Sequence, residues 1–316
     1  MQAKTSTSQL TWQTPFYYNF SRALFSWRNP NWDESPSGEP FMKIAQFYEK
    51  DCIRLGLVDS DIVTTLDFHG NMIDLMTEGA ECRPTRISMP LKRAKLAPPV
   101  TNPSKIVALG LNYLDHVRES KGRVPEAPLI FSKFPSTVIG HNDRITWDLG
   151  VTQKVDFEAE LAVIIGKKIF RCSQAEAMEA VFGYTCANDV SARDLQFADG
   201  QWVRGKSLDT FCPLGPWIVT THDVPDPHSL HIRCLLNGEI MQDSNTSMMV
   251  FKLPEIISFI SNHFTLLPGD VILTGTPHGV GTFRDPSVYM KDGDQVVVEI
   301  EKVGRLVNMC RAEHTL

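Results

Sequence analysis

Val155-Asp156-Phe157-Glu158-Ala159-Glu160-Leu161 alternates apolar and acidic residues without a break, and Ala162-Val163-Ile164-Ile165 extends it as a wholly apolar run that Gly166 ends. A period of two is the mark of a β-strand with unlike faces. Val155, Phe157, Ala159 and Leu161 are expected on one face, and Asp156, Glu158 and Glu160 on the other. The apolar extension reads as a central strand. Ser173-Gln174-Ala175-Glu176 is a capping box, predicting a helix through Phe182 that Gly183 stops. Tyr184 to Val190 then returns as a strand carrying Asp189, so the helix acts as the connector that brings a third carboxylate beside the first two. Carboxylates gathered this way repel one another unless a cation lies among them. A hard divalent ion such as Mg2+ suits them, because it prefers carboxylate oxygens and keeps waters that a substrate can replace. The rival reading is a strand edge of solvated acids, and an isolated Glu-x-Glu does not exclude it.

The bulk composition narrows the field. With 316 residues, 42% hydrophobic and 22% charged, the chain has ample material for a core. A formal net charge of -6 argues against nucleic acid or an anionic membrane as the main partner. No apolar stretch is long enough to span a bilayer. The seven cysteines (52, 82, 172, 186, 212, 234 and 310) are scattered and form no Cys-x-x-Cys pair. Neither a disulfide framework nor a zinc site is indicated, and a reducing intracellular compartment fits.

Away from the acidic strand, the chain divides into three parts. Residues 1–41 form an N-terminal extension that carries Lys4, Arg22 and Arg28 but no acid through Asn31. Its composition is that of a mitochondrial transit peptide, the alternative being an extension without targeting value upstream of a start at Met42. From Met42, short alternating or apolar pieces (43–47, 53–58, 62–66 and 72–75) predict a small β-rich domain over 42–100, closed by the linker Pro98-Pro99. The larger unit, 101–316, opens with the buried strand Lys105–Leu109.

Within that unit, a helical turn over Asn112–Ser120 would place His116 and Glu119 three apart on one face, a usable acid/base couple. Arg193, Gln196 and Lys206 lie near the acidic cluster in sequence, either as ion-pair partners or as receptors for a substrate carboxylate. Cys212 sits among prolines with no histidine nearby and reads as packing. Thr274-Gly275-Thr276-Pro277-His278-Gly279-Val280-Gly281 matches no nucleotide-binding loop, though its backbone can approach a carboxylate closely.

These segments, taken in order, resemble the fumarylacetoacetate hydrolase family over roughly 105–309. They are Gly110-x-Asn112-Tyr113-x-x-His116-x-x-Glu119, Asp156-x-Glu158-x-Glu160-Leu161, Asn188-Asp189-x-Ser191-Ala192-Arg193-Asp194, Gly205-Lys206-x-x-Asp209-Thr210-Phe211-Cys212-Pro213 and Thr274-Gly275-Thr276-Pro277-x-Gly279-Val280-Gly281. Ile130-Phe131-Ser132-Lys133, Gln201-Trp202 and Met249-Val250-Phe251-Lys252 are most similar to its eukaryotic mitochondrial members, which favours the transit-peptide reading and a matrix location over a cytoplasmic one.

The resemblance implies a mixed-β fold with short helices (α+β), in which a β-roll catalytic domain follows a small β-rich N-terminal domain, usually as a homodimer. It further implies one Mg2+ or Mn2+ held by Glu158, Glu160 and Asp189, and His116 with Glu119 as an acid/base pair on a lid. Lys206 matches the active-site lysine, Gln196 a polar group near the reacting carbon, and Thr276 a substrate-carboxylate contact. Family substrates are small 2-oxo acids whose enolate the metal stabilises. The expected activity is oxaloacetate keto–enol tautomerisation. Alternatives are hydrolysis of an acylpyruvate or fumarylpyruvate-type substrate, or decarboxylation of oxaloacetate. A non-catalytic metal-bound scaffold is disfavoured by the intact Lys206, His116 and Glu119.

Overall fold

Strand Ala159–Ile165 is hydrogen-bonded on both sides in the computed structural model, which describes residues 42–80 and 82–314. Val181–Asn188 runs antiparallel along one edge and Val271–Leu273 antiparallel along the other. They belong to a 12-stranded sheet that continues through Ile106–Gly110 to Leu129–Lys133 on one flank. On the other flank lies Cys212–Thr220, and the N-terminal strand Lys43–Glu49 joins it, with Lys43 opposite Val219 and Ile44 opposite Ile218. Cys52–Asp59, Ile62–Leu66 and Pro84–Pro90 extend the same sheet outward. The N-terminal strands are therefore tied to the rest of the chain by backbone ladders.

A second sheet of 5 strands runs in the order Glu239–Asn245, His231–Leu236, Gln295–Ile300, Gly304–Glu313, Arg144–Asp148. Its first hairpin turns on Asn237 and Gly238, both at positive φ (53° and 85°), which is the backbone an Asn-Gly turn favours. Leu161, Val163 and Tyr184 of the large sheet pack against Ile232, Cys234, Val296 and Val298 of the second, and Ile256, Ile257 and Ile260 of helix Leu253–His263 close the same core. The opposite face of the large sheet buries Ala162, Ile164 and Ala187 against Leu66, Met72 and Leu75. Both faces of the central strand are thus covered, which is why its sequence is apolar without alternation. The fold is mixed β with short helices, as expected.

Three local expectations differ from what the structure shows. The acidic alternation is not one strand: Val155–Asp156 pairs with Ser191–Ala192, and the sheet strand restarts at Ala159. Asp156 turns aside because its carboxylate accepts the backbone N–H groups of Phe157, Gly281 and Thr282. The helix opened by Ser173 spans only Gln174–Ala177 with a 3-10 turn at Met178–Ala180, and the returning strand begins at Val181. Gly183 lies within that strand, where a Cβ would stand 2.3 Å from the Val219 carbonyl oxygen, so glycine permits strand approach rather than stopping a helix. Finally, Met72–Glu78 is a helix, capped by Asn71, whose side chain accepts from the Ile73 and Asp74 amides. A four-residue apolar piece carries too little periodicity to show this. The extension 1–41 lies outside the described residues. Among the described residues, no helix is long and apolar enough to cross a membrane.

Candidate metal centre and active site

Two adjacent strands and the bend before one of them supply the floor. Ala159 pairs with Asn188, so Glu158 precedes one strand while Asp189 follows its neighbour, and the Asp189 amide donates to the Glu158 carbonyl at 2.9 Å. Glu158, Glu160 and Asp189 each present a carboxylate oxygen within 4.8 Å of the others, and all three residues are buried. Sequence alternation anticipated the two glutamates, and the β-connection brings the aspartate to them.

Three cationic side chains surround this acid cluster. Lys206 Nζ donates to Glu158 Oε2 and to Asp189 Oδ2, both at 2.7 Å. Lys133 Nζ donates to Asp189 Oδ1 at 2.6 Å, to the Val190 carbonyl and to the Lys206 carbonyl. Arg193 Nε donates to Asp156 Oδ2 at 2.8 Å and its Nη1 to Gln196 Oε1 at 2.9 Å. Its Nη2 lies 2.7 Å from Glu158 Oε1, an ionic contact without hydrogen-bond alignment. Burial alone would raise the Glu158 carboxyl, but Lys206 and Arg193 outweigh it and hold that group at about 2. Burial likewise disfavours the Lys206 ammonium, yet Asp189 and Glu158 more than compensate and raise it.

Glu160 differs from its neighbours. Its Oε2 accepts the Gly275 amide at 2.7 Å, but Oε1 is buried with no hydrogen-bond partner among the described residues. Burial, then the charges of Asp189 and Glu158, push its carboxyl well above the usual range. A buried acceptor without a donor, beside two further carboxylates, is what a hard divalent cation satisfies, and the all-oxygen donor set suits Mg2+ or Mn2+ rather than a thiolate-seeking metal. The residues present therefore fit such an ion.

The roof comes from two other segments. Helix Leu114–Glu119 carries His116, whose Nδ1 lies 3.0 Å from Glu119 Oε2. A carboxylate only accepts, so Nδ1 bears the proton and Nε2 is the basic nitrogen. The glycine-rich loop holds the same carboxylate, with the Gly279 amide donating to Glu119 Oε1 at 2.8 Å. Gly275 has φ +93° and a Cβ there would lie 2.9 Å from the Asn112 Cβ, so only glycine lets this loop reach Glu160. Thr276 Oγ1 donates to the Ala159 carbonyl and accepts from Gln242 Nε2.

One cavity of about 100 Å³ joins floor to roof, lined by Glu158, Lys206, Arg193, Gln196, Thr276 and His116 together with Leu109, Leu111, Phe131, Trp202 and Phe283. Every residue singled out from the sequence lies at this cavity or one side chain from it. Of the two roles left open for Arg193 and Lys206, ion-pair partner or receptor for a substrate carboxylate, the ion pairs are present, and both side chains also line the cavity. Sequence reasoning missed Lys133 and Asp156 as parts of this site, along with Gln242. Lys133 looks like any strand-end lysine, and only the sheet brings it to Asp189. A signal for Asp156 was present, because the third acid of the alternation had no assigned role.

Comparison with known proteins bears on the family and the fold. Residues 105–311 match the family model for the fumarylacetoacetate hydrolase C-terminal domain. Over 222 residues, 70% of each chain, the sequence is 51% identical to oxaloacetate tautomerase FAHD2A, mitochondrial, of Bos taurus. Fumarylacetoacetate hydrolase from Exiguobacterium antarcticum superposes with a TM-score of 0.78 at 36% identity, covering 86% of this chain and 100% of that one. 2-Hydroxyhepta-2,4-diene-1,7-dioate isomerase from Mycobacterium marinum does so with a TM-score of 0.74 at 36% identity, covering 86% and 99%. A buried acidic triad beneath a histidine–glutamate couple, on this sheet and in a sequence this similar, places the chain in the fumarylacetoacetate hydrolase family.

Proposed function

We propose that the protein is a divalent-metal-dependent oxaloacetate tautomerase, an isomerase acting on small 2-oxo dicarboxylic acids. The observation that carries this reading is the shared cavity, whose lining includes His116 together with Glu158, one of the three clustered carboxylates. The similarity to the tautomerase of Bos taurus supports the substrate. Glu158, Glu160 and Asp189 would hold Mg2+ or Mn2+. When bound, the ion supplies Lewis-acid stabilisation of the negative charge that develops on a 2-oxo acid as C3 loses a proton.

The chain's own groups do the rest. Glu119 fixes the His116 ring through Nδ1, leaving Nε2 to take the C3 proton and return it to the carbonyl oxygen, which converts keto to enol without consuming water. Lys206 and Arg193 contribute positive charge at the floor, while Gln196 and Thr276 offer polar contacts to the substrate carboxylates. Phe131, Trp202 and Phe283 line the remainder and limit access of water. Hydrolysis of an acylpyruvate is the second reading, supported by the likeness to the Exiguobacterium antarcticum hydrolase. It needs the same couple to deprotonate a water instead. The same proposal includes a homodimer in the mitochondrial matrix, with 1–41 as its transit peptide, which rests on the sequence resemblance and the mitochondrial relative.

The test follows enol-oxaloacetate absorbance and pyruvate release together in Mg2+-containing buffer. Accelerated enol decay without pyruvate is expected. Pyruvate formed in step with enol loss would replace the tautomerase reading with a decarboxylase.

A further inference from the structure

Beside the active-site cavity lies a second, larger space of about 430 Å³, lined by Leu129, Ile130, Phe131, Trp202, Val203 and their neighbours. Phe131 and Trp202 border both spaces. They form a partition, with ring centroids 5.3 Å apart and planes at 73°, the edge-to-face arrangement aromatic pairs favour. The indole packs directly against Gly110: a Cβ on that residue would fall 2.4 Å from Trp202 Cζ3 and 2.8 Å from Cη2. The absent side chain at position 110 is therefore what lets the indole occupy the partition. Its backbone is anchored as well, because the Trp202 carbonyl accepts the Lys206 amide at 3.0 Å.

The geometry points to Trp202 as the residue that sets substrate length, confining the site to short 2-oxo acids by closing it off from the neighbouring apolar groove. This rests on the assignment of the cavity to a 2-oxo acid. A cavity of about 100 Å³ is smaller than the ~150 Å³ that accepts benzene in an engineered protein core. A four-carbon diacid meets that limit with its open end toward solvent, whereas a 2,4-dioxo acid with an alkyl or aryl tail does not. The groove beyond the partition has the apolar lining that such a tail would need, through Leu129, Ile130 and Val203. Removal of the indole joins the two spaces and changes which ligands fit, without touching any carboxylate of the triad.

The test measures calorimetric binding and turnover of oxaloacetate, 2,4-dioxopentanoate and 4-phenyl-2,4-dioxobutanoate by the full-length, Mg2+-loaded protein. For Trp202→Ala, the affinity for the phenyl acid relative to oxaloacetate should rise at least about tenfold, since each buried carbon group is worth a factor of this size. Trp202→Phe should keep the wild-type preference. Gly110→Ala attacks the partition from the other side: the new methyl displaces the indole and should shift the profile in the same direction. If Trp202→Ala fails to fold, Gly110→Ala and the wild-type profile decide. An unchanged length profile in folded Trp202→Ala or Gly110→Ala, or a wild type that already binds the phenyl acid as tightly as oxaloacetate, overturns the inference. Lack of oxaloacetate turnover by the wild type would instead refute the tautomerase reading, while the binding profile across chain lengths would still test the partition.

Discussion

Glu119 and Gly279, 160 residues apart in sequence, are joined by one hydrogen bond of 2.8 Å from the glycine amide to the carboxylate whose other oxygen holds His116. The His116–Glu119 couple is therefore linked to the loop that also reaches the carboxylate cluster through Gly275 and Glu160. Glu119→Gln keeps the shape and one acceptor but removes the charge that orients and supports the imidazole. We expect kcat to fall about ten- to a hundredfold, against about 10²–10⁴ for His116→Asn, which removes the acid/base nitrogen itself. Steady-state kinetics with Mg2+ checks both; equal losses would mean that Glu119 does more than orient the ring.

Asp156 anchors the site without facing substrate. Its carboxylate accepts from Arg193 Nε and from three backbone amides, and the residue is fully buried. Asp156→Ala strands these donors and leaves the Arg193 guanidinium with less compensating charge, which should cost about 3–5 kcal/mol. Urea unfolding of the metal-free protein measures it, and a loss under about 1 kcal/mol would refute the anchoring role.

Glu160→Gln separates folding from metal binding. Without a cation, the wild-type carboxyl is disfavoured as an anion by burial and by Asp189 and Glu158, so a neutral amide should leave the melting temperature of the metal-free protein unchanged or higher. The wild type is expected to gain about 2.7 kcal/mol from Mg2+ at a hundred times Kd, and this gain should disappear in the variant. Thermal melts with and without Mg2+ give both readings, and retained Mg2+ stabilisation would remove Glu160 from the ligand set.

Acid should unfold the protein partly through Glu158. Burial acts to raise its carboxyl, but Lys206 and Arg193 prevail and lower it from 4.5 to about 2. A lowered folded-state value contributes stability that is complete above the ordinary carboxylate range and is lost as pH falls from 4.5 toward 2. Glu158→Gln is expected to be less stable at neutral pH, with a flatter decline across that window. Parallel slopes for the two proteins would show that other carboxylates govern acid unfolding.

The site was more legible in the sequence than the backbone that carries it. Alternation and a returning strand drew Glu158, Glu160 and Asp189 together, but the rival of solvated acids fell only with the burial of all three. The same alternation misplaced Asp156, since periodicity cannot register a side chain recruited by the amides of Gly281 and Thr282 125 and 126 residues away. Gly183 misled for a related reason: glycine marks both helix ends and close strand contacts, and only the Val219 carbonyl 2.3 Å from its would-be Cβ distinguishes them. Lys133 entered only as the end of a similar segment with no role assigned, because its value resides in contacts made across the sheet.

The central strand and the six-residue helix above it also set two different clocks. Ala159–Ile165 is laddered on both edges and packed on both faces, so its amides exchange with solvent only in large-scale opening. Leu114–Glu119 belongs to no sheet and is held by a few side-chain contacts, Glu119 to the Gly279 amide, Asp115 to the Ser244 hydroxyl and the buried His116 and Val117, so it can open at smaller cost than the strand. If the floor holds an ion and the roof covers a substrate, the ion would sit in the slow-opening part of the fold and the substrate beneath the faster one. On the proposed function, a single cation would then serve many turnovers.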